Sequence, residues 1–190
     1  TYEFLPPGPV EVAAGLRSVA LVTLDEIDET LAGYHSVRLL TDRHTSQMSG
    51  EPAVTAVRVL AAQGQMLPLY DYVLREGHVV ADVVGECLRQ LTAIPSSLLP
   101  ALIARYVDGE DEIVLLGLFD LVLAHEASAA FDDDVVDFLC TTRLYNIYRY
   151  LVSTIIASRR EDLIASLAAL AEEEEDRAKA EILQEALTLR

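Results

Sequence analysis

Apolar and turn-forming residues recur every 32 residues between Leu67 and Leu123. The sequence Leu67-Pro68-Leu69-Tyr70 opens the first copy, and Leu99-Pro100-Ala101-Leu102 opens the second. Further equivalent pairs at this spacing are Gly77 and Gly109, Gly85 and Gly117, Val83-Val84 and Leu115-Leu116, and Leu91 and Leu123. A repeat of about 20–50 residues is typical of stacked units, none of which buries its own apolar face. The pattern therefore predicts one helical hairpin written twice.

Helical spacing of apolar residues continues on both sides of this repeat. Before it, we predict a helix over residues 10–24, a second helix capped by Thr23 or Asp25, and a third that begins near Pro52 and is closed by Gly64. After it, the predicted helices begin at Phe131-Asp132, run over 143–158 with a Thr141-Thr142 cap, and cover 161–170 and 176–189. Residues 1–9 contain three prolines and are expected to be extended, and residues 45–50 are expected to form a loop.

These elements predict an all-α fold: an extended segment over residues 1–9, then one helical-repeat domain over 10–190. The expected architecture is a right-handed solenoid with atypical terminal helices, in which residues 67–123 form the clearest repeats. Residues 99–103, the turn Asp108-Gly109-Glu110-Asp111 and the following helix with Val114, Leu115 and Gly117 resemble a HEAT-type repeat. That resemblance implies a curved array with a concave face. Most proteins of this kind are scaffolds or adaptors, and a minority act on nucleic acid or tetrapyrroles.

The chain is strongly acidic, with a formal net charge of −17 and a sequence pI near 4.4. Such a surface repels phosphate backbones and anionic membranes, so we expect neither a nucleic-acid nor a membrane partner. A protein partner is expected, and a basic one would complement the charge. The sequence leaves the oligomeric state open.

Cysteine usage and hydropathy indicate the cellular compartment of the protein. Cys87 and Cys140 cannot form a disulfide framework of the secreted type, and both lie among apolar residues that predict buried thiols. Residues 1–10 lack the basic start of a signal peptide, and the longest apolar run, 113–124, is interrupted by Asp120 and too short to span a bilayer. These features predict a soluble, cytoplasmic protein.

Two groups of acidic residues are candidate metal ligands. The string Asp133-Asp134-Val135-Val136-Asp137 matches the DDxxD pattern with which isoprenoid synthases chelate Mg²⁺, and carboxylates suit that ion. The favoured interpretation is that Asp132 to Asp134 stabilise a helix N-terminus. His78, Asp82 and Glu86 lie four apart and share one helical face, where a solvated surface is favoured over a metal site. No cofactor is expected.

The remaining polar features favour binding over catalysis. No P-loop, nucleophile-elbow or dinucleotide-binding string occurs. Tyr148 is expected in the core, whereas Tyr145 and Arg149 share another face of the same helix and are of the residue types enriched in binding hot spots. The five acids of 172–176 are expected to be solvated helix with Arg177 and Lys179 as local partners. His35, His44 and His125 are expected on the surface.

The sequence thus predicts a non-catalytic protein–protein interaction scaffold. The candidate partner-binding residues are Tyr70, Tyr106, Asp108, Glu110, Asp111, Tyr145 and Arg149. The alternative is a small-ligand or Mg²⁺-dependent enzyme that uses Asp133, Asp134 and Asp137 on an isoprenoid-type or tetrapyrrole-type ligand.

Overall fold

A computed structural model of the protein describes residues 9–41, 51–76 and 79–188, with side chains from residue 12 onward. Within these ranges every regular element is helical, which confirms the all-α prediction. The helices fall into two compact units, one ending at Pro95 and the other beginning at Ser96. The predicted extended segment 1–9 lies outside the described residues except for Pro9, which is helical and so differs from the prediction. The loop 45–50, Gly77, His78, His44 and Leu189 also lie outside the described residues.

In the described part of the first unit there are five α-helices and a short 3-10 turn. Helix α3 lies at its centre and packs against α1, α2 and α5, while α4 packs against α5 as the first predicted hairpin requires. The helices are α1 (Pro9–Ile27), α2 (Glu29–Thr41), α3 (Glu51–Ala62), α4 (Met66–Val73) and α5 (Ala81–Gln90), followed by the turn Leu91–Ala93. Gly64 adopts a φ of 71°, a left-handed conformation that ends α3 as predicted.

The boundary between α1 and α2 differs from the sequence prediction. Thr23 donates its hydroxyl to the carbonyl of Val19 at 3.0 Å, so it lies inside α1 and caps nothing. Asp28 accepts a hydrogen bond from the backbone N–H of Leu31 at 2.9 Å and is therefore the cap of α2. The prediction that Thr23 or Asp25 caps α2 was wrong. Threonine and aspartate both suit an N-cap, so Thr23, Asp25 and Asp28 carry the same local signal, but the chain passes from α1 to α2 at Asp28.

Glu86 of α5 is buried, with 6% of its surface exposed, and it is satisfied by three partners. Arg58 of α3 donates its Nε to Glu86 Oε1 at 2.9 Å, Gln90 donates to the same oxygen at 3.1 Å, and Arg89 lies 3.4 Å from Oε2. Glu86 thus ties α5 to α3, and the expectation of a solvated face was wrong at this position. Burial raises the pKa of Glu86, but the hydrogen bonds from Arg58 and Gln90 and the two arginine charges outweigh it and lower the pKa overall.

The lowered pKa of Glu86 predicts a specific acid sensitivity. A carboxyl whose pKa falls on folding stabilises the native state above its ordinary value of 4.5, and this contribution is lost as the pH falls through the folded pKa. Glu86→Gln should lower the free energy of unfolding by about 1–3 kcal/mol at neutral pH and flatten its dependence on pH below the ordinary value. Urea unfolding across that pH range tests this. Glu26→Gln, at an exposed position of α1, is the control, and an equal change in both variants would contradict the prediction.

The second unit contains six α-helices. Helix α11 packs against α9 and α10, α9 packs against α7, and α10 packs against α8. The rings of Phe119 and Phe138 meet in the core with centroids 4.6 Å apart. The helices are α6 (Leu99–Tyr106), α7 (Glu112–Ala124), α8 (Asp132–Thr141), α9 (Tyr145–Ser158), α10 (Glu161–Glu173) and α11 (Arg177–Thr188), with 3-10 turns at Ser96–Leu98 and Ser128–Phe131.

The two predicted hairpins are present as α4/α5 and α6/α7, one in each unit. Helices α4, α6 and α8 begin 33 residues apart, close to the period of the sequence pattern. Some paired positions behave alike, since Val83 and Leu115 are both buried, but Leu67 is exposed whereas Leu99 is buried. The sequence repeat is therefore a repeat of helical elements.

Three polar residues of the second unit depart from expectation. His125 is buried, and its Nδ1 accepts a hydrogen bond from the backbone N–H of Ala127 at 3.0 Å, so the expectation that it lies on the surface was wrong. Cys140 is exposed, whereas Cys87 is buried as predicted and its pKa is raised by burial. Lys179 is buried and donates its Nζ to the carbonyl oxygens of Leu139 at 2.8 Å and Cys140 at 3.2 Å instead of pairing with the acids of 172–176.

Candidate functional site

Two turns of the second unit are held in place by local hydrogen bonds. Asp111 caps α7, because its Oδ1 accepts from the backbone N–H groups of Ile113 at 3.0 Å and Val114 at 3.2 Å. The hydroxyl of Thr142 accepts from the N–H of Leu144 at 3.2 Å and fixes the connection between α8 and α9. Both turns are therefore determined by sequence close to them.

A cavity of about 860 Å³ lies where these two turns and the outer side of α8 meet. We call it the acidic pocket. Four carboxylates contribute to its wall, against a single guanidinium, and aliphatic and aromatic side chains supply the rest of its lining. Its residues are Val107, Asp108, Gly109, Glu110, Asp134, Asp137, Phe138, Cys140, Thr141, Thr142, Arg143 and Leu144. Its volume falls in the range of about 300–1,000 Å³ that is typical of ligand pockets.

The acidic pocket is suited to a cation with an apolar stem. The four carboxylates lower the electrostatic potential in a confined space, and Val107, Phe138 and Leu144 offer apolar surface beside them. Lysine and arginine side chains combine these two properties, since their methylene stems cover apolar surface while the charged head stays polar. The chemistry of the lining therefore fits a basic segment of another protein.

The pocket joins residues that the sequence treats as separate. Asp108 and Glu110 are predicted partner-binding residues, whereas Asp134 and Asp137 belong to the DDxxD string, and all four line the same cavity. Sequence reasoning missed Arg143, Thr142 and Leu144 as lining residues. The signal for them was present, because the 32-residue register makes the turn at 108–110 equivalent to the turn at 140–142, and neighbouring repeats place equivalent turns side by side.

The DDxxD string lies in α8 and begins in the first turn of that helix. Asp132, Asp133 and Asp134 occupy the first turn of that helix, where their charges favour the helix dipole as predicted. None of them caps the helix, because the N-cap position is Phe131 and no side chain makes a cap hydrogen bond there. Arg160 Nη2 lies 2.5 Å from Asp132 Oδ1, and Asp133 is exposed outside the pocket. Across the described ranges, no group of three or more histidine, cysteine, aspartate or glutamate residues is placed to hold a metal ion. The Mg²⁺ alternative therefore has no ligand cluster in that part of the chain.

The other predicted partner-binding residues lie apart from the pocket. Tyr145 donates its hydroxyl to Asp176 Oδ2 at 2.7 Å, a hydrogen bond that raises the pKa of Tyr145 and lowers that of Asp176. Arg149 lies 3.9 Å from Glu185, and both side chains are largely exposed. Tyr145 and Arg149 thus share a face of α9 as predicted, and that face meets α11 and the residue that precedes it.

Tyr70 and Tyr106, which lie in the two short repeat helices, are half-buried. Tyr106 lies at the end of α6 with the guanidinium carbon of Arg105 5.6 Å from its ring centroid, and its carbonyl accepts a hydrogen bond from the N–H of Gly109, a pocket-lining residue, at 3.0 Å. Asp111 is exposed and engaged as the cap of α7. Tyr106 and Asp111 therefore support the turn that lines the pocket, whereas Tyr70 lies in α4 of the first unit.

Comparison with protein-family models, curated proteins and solved structures finds no match for this chain. No helix in the described ranges combines the length and the apolar character needed to cross a lipid bilayer.

Proposed function

We propose that this protein is a non-catalytic interaction module whose helical hairpins stack as a HEAT-like, right-handed array. Its acidic pocket would take a basic, partly apolar segment of a protein partner. The regular spacing of helix starts supports the stacking, and the meeting of two separate sets of carboxylates in one cavity carries the binding proposal. A cytoplasmic location belongs to the same proposal and is supported by the two free cysteines.

Pre-organisation supports binding at this pocket. Asp111 and Thr142 fix the two turns in the free protein, so the carboxylates need little ordering when a partner arrives. Binding then costs less conformational entropy than it would at a mobile loop. The overall charge of −17 adds long-range attraction for a basic partner, which raises the association rate at low salt.

The predicted residues outside the pocket enter the proposal as a separate contact area. Tyr145 and Arg149 present a tyrosine and an arginine on the exposed edge of α9, the residue types most often found in binding hot spots. Tyr70, Tyr106 and Asp111 stay predictions as well. A partner that engaged the pocket alone would not require Tyr70, Tyr145 or Arg149, whereas Asp111 holds one turn of the pocket in place.

The proposal predicts that Asp134→Asn/Asp137→Asn weakens the binding of basic peptides by about tenfold, because two ion pairs are removed and each contributes about 0.2–1 kcal/mol. The probe is a set of short peptides selected from a random displayed library on the full chain. We expect the selected peptides to contain lysine or arginine beside an apolar residue. Their affinity, measured by fluorescence anisotropy, should fall as the salt concentration rises.

A matched control removes the same charge elsewhere in the second unit. Glu172→Gln/Glu173→Gln neutralises two exposed acids near the end of α10, outside the pocket lining. This variant should bind the selected peptides almost as tightly as the wild type. If both variants lost the same affinity for the peptides, the loss would be due to net charge and not to the pocket. Selection of peptides without basic residues would overturn the proposed role of the pocket.

A further inference from the structure

Helix α1 exposes an unusual amount of aliphatic surface. Ala14, Ser18 and Leu21 face the core, whereas the opposite side of the helix carries large aliphatic side chains that are 47–78% exposed. These are Val12, Leu16, Val19, Val22 and Ile27. Single exposed apolar residues are ordinary, but several on one helix face mark a surface that meets another molecule.

A groove of about 360 Å³ runs between this helix and α2. We call it the hairpin groove. Ala20, Leu21 and Leu24 of α1 and Leu39 of α2 give it an apolar lining, while Arg17, His35 and Arg38 supply its polar groups. The chain reverses at Asp28, so Arg17 and Arg38 lie at nearly the same level of the two antiparallel helices, away from the turn.

The two arginines of the hairpin groove are not neutralised. Neither forms an ion pair with any residue in the described ranges, although all the arginines at 58, 89, 149, 160 and 177 do. The guanidinium carbon of Arg38 lies 5.9 Å from the ring centroid of Tyr34. Among the side chains that the structure describes, the acids of the hairpin lie near its turn, where Asp25 accepts from Gln63 at 2.6 Å and Asp28 caps α2.

We propose that the hairpin groove docks an amphipathic helix of a protein partner, with acidic side chains of that helix placed against Arg17 and Arg38. Local charge complementarity selects the acidic helix, because the guanidinium groups of Arg17 and Arg38 stand at one end of an apolar groove and form no ion pair within the described ranges.

The length of the surface favours a helix over a small amphiphile. From Arg17 to Ile27 the rise of α1 is about 15 Å, so a docked helix would have about three turns in contact. The groove is open, and the exposed Leu16 and Ile27 extend its apolar surface along α1. An amphipathic helix lying in a groove uses anchors of this spacing. The hairpin groove lies in the first unit and shares no lining residue with the acidic pocket of the second unit.

The test uses a displayed library of amphipathic helices selected on the full chain. On the wild type we expect enrichment of helices with glutamate or aspartate near one end of an apolar stripe. Arg17→Glu/Arg38→Glu should weaken the selected helices at least tenfold and, in a fresh selection, enrich lysine and arginine at the same positions. Ala20→Gln, which lengthens an exposed lining residue without changing charge, should also abolish binding.

Controls separate this inference from folding and from the acidic pocket. Arg159→Glu/Arg177→Glu makes the same charge change on exposed residues of the second unit and should leave the selected helices bound. Circular dichroism and the unfolding midpoint verify that each variant is folded. Asp134→Asn/Asp137→Asn should not affect helix binding, so failure here and failure of the proposed function are distinguishable.

Several results would overturn the inference. One is a selection that yields no helix or that is indifferent to reversal of Arg17 and Arg38. Another is a concentration-dependent dimer in sedimentation that Ala20→Gln abolishes, which would assign the groove to a second copy. A third is stabilisation of the wild type, but not of Ala20→Gln, by dodecanoate with no helix selected, which would assign the groove to a small amphiphile.

Discussion

Lys179→Met should lower the free energy of unfolding by about 2–4 kcal/mol, because a hydrogen bond to a charged group contributes about 1.5–3 kcal/mol. The Nζ of Lys179 donates to two carbonyl oxygens in the last turn of α8, those of Leu139 at 2.8 Å and Cys140 at 3.2 Å. It also lies 5.0 Å from the centroid of the Tyr148 ring. Methionine keeps the aliphatic stem but leaves both carbonyls without this donor, at a position that is only 5% exposed.

The cost of this substitution is measurable by urea unfolding followed by circular dichroism. Arg177→Met, two residues earlier on the same helix, is the control because its side chain is 92% exposed and pairs only with Glu181 four residues on. A change within about 0.5 kcal/mol is expected there. Similar losses in the two variants would show that Lys179 does not stabilise the end of α8.

Leu118→Ala should lower the free energy of unfolding by about 2–5 kcal/mol, the range found when a buried leucine is truncated and its cavity remains. Leu118 lies in the middle of α7 and has no exposed surface. The neighbouring Phe119, in contact with Phe138, limits how far the surrounding residues can close the cavity.

Ile113→Ala on the same helix provides the comparison, since that side chain is 41% exposed and its truncation should cost well under half as much. Thermal and urea unfolding of both variants, with the slope of the urea transition checked for constancy, give the two values. A cost at Ile113 as large as that at Leu118 would contradict the burial pattern of α7.

The hairpin α6/α7 shows what a sequence pattern can predict in this protein. The proline after Leu99, the aspartate-rich turn at 108–111 and the apolar residues of α7 are local signals, and the structure has a helix, a capped turn and a helix in those places. The spacing of 33 residues between the starts of α4, α6 and α8 follows from the repetition of these signals. Local sequence rules were sufficient to predict this hairpin, because each signal determines the structure of the few residues around it.

Tertiary contacts explain the sequence predictions that were wrong. Glu86, His125 and Lys179 are polar residues that the sequence assigns to the surface, and each is buried with partners. Arg58, the partner that joins Glu86 to α3, lies 28 residues from it, and the carbonyl of Leu139 lies 40 residues from Lys179, so no local pattern reveals these contacts. The acidic pocket has the same origin, because Asp108 lies in the turn after α6 and Asp134 in the first turn of α8, and the two line one cavity only in the fold.

The burial of Lys179 has a chemical consequence that extends beyond stability. It is the only lysine in this sequence, so its ε-amino group is the only one that acylating reagents, amine-directed cross-linkers or lysine-modifying enzymes could find along these 190 residues. With its amine turned toward the carbonyl groups of α8, that group becomes reactive only when α11 detaches. The acylation rate at this position therefore reports opening of the second unit, and covalent tags directed to this lysine would select molecules that have begun to unfold.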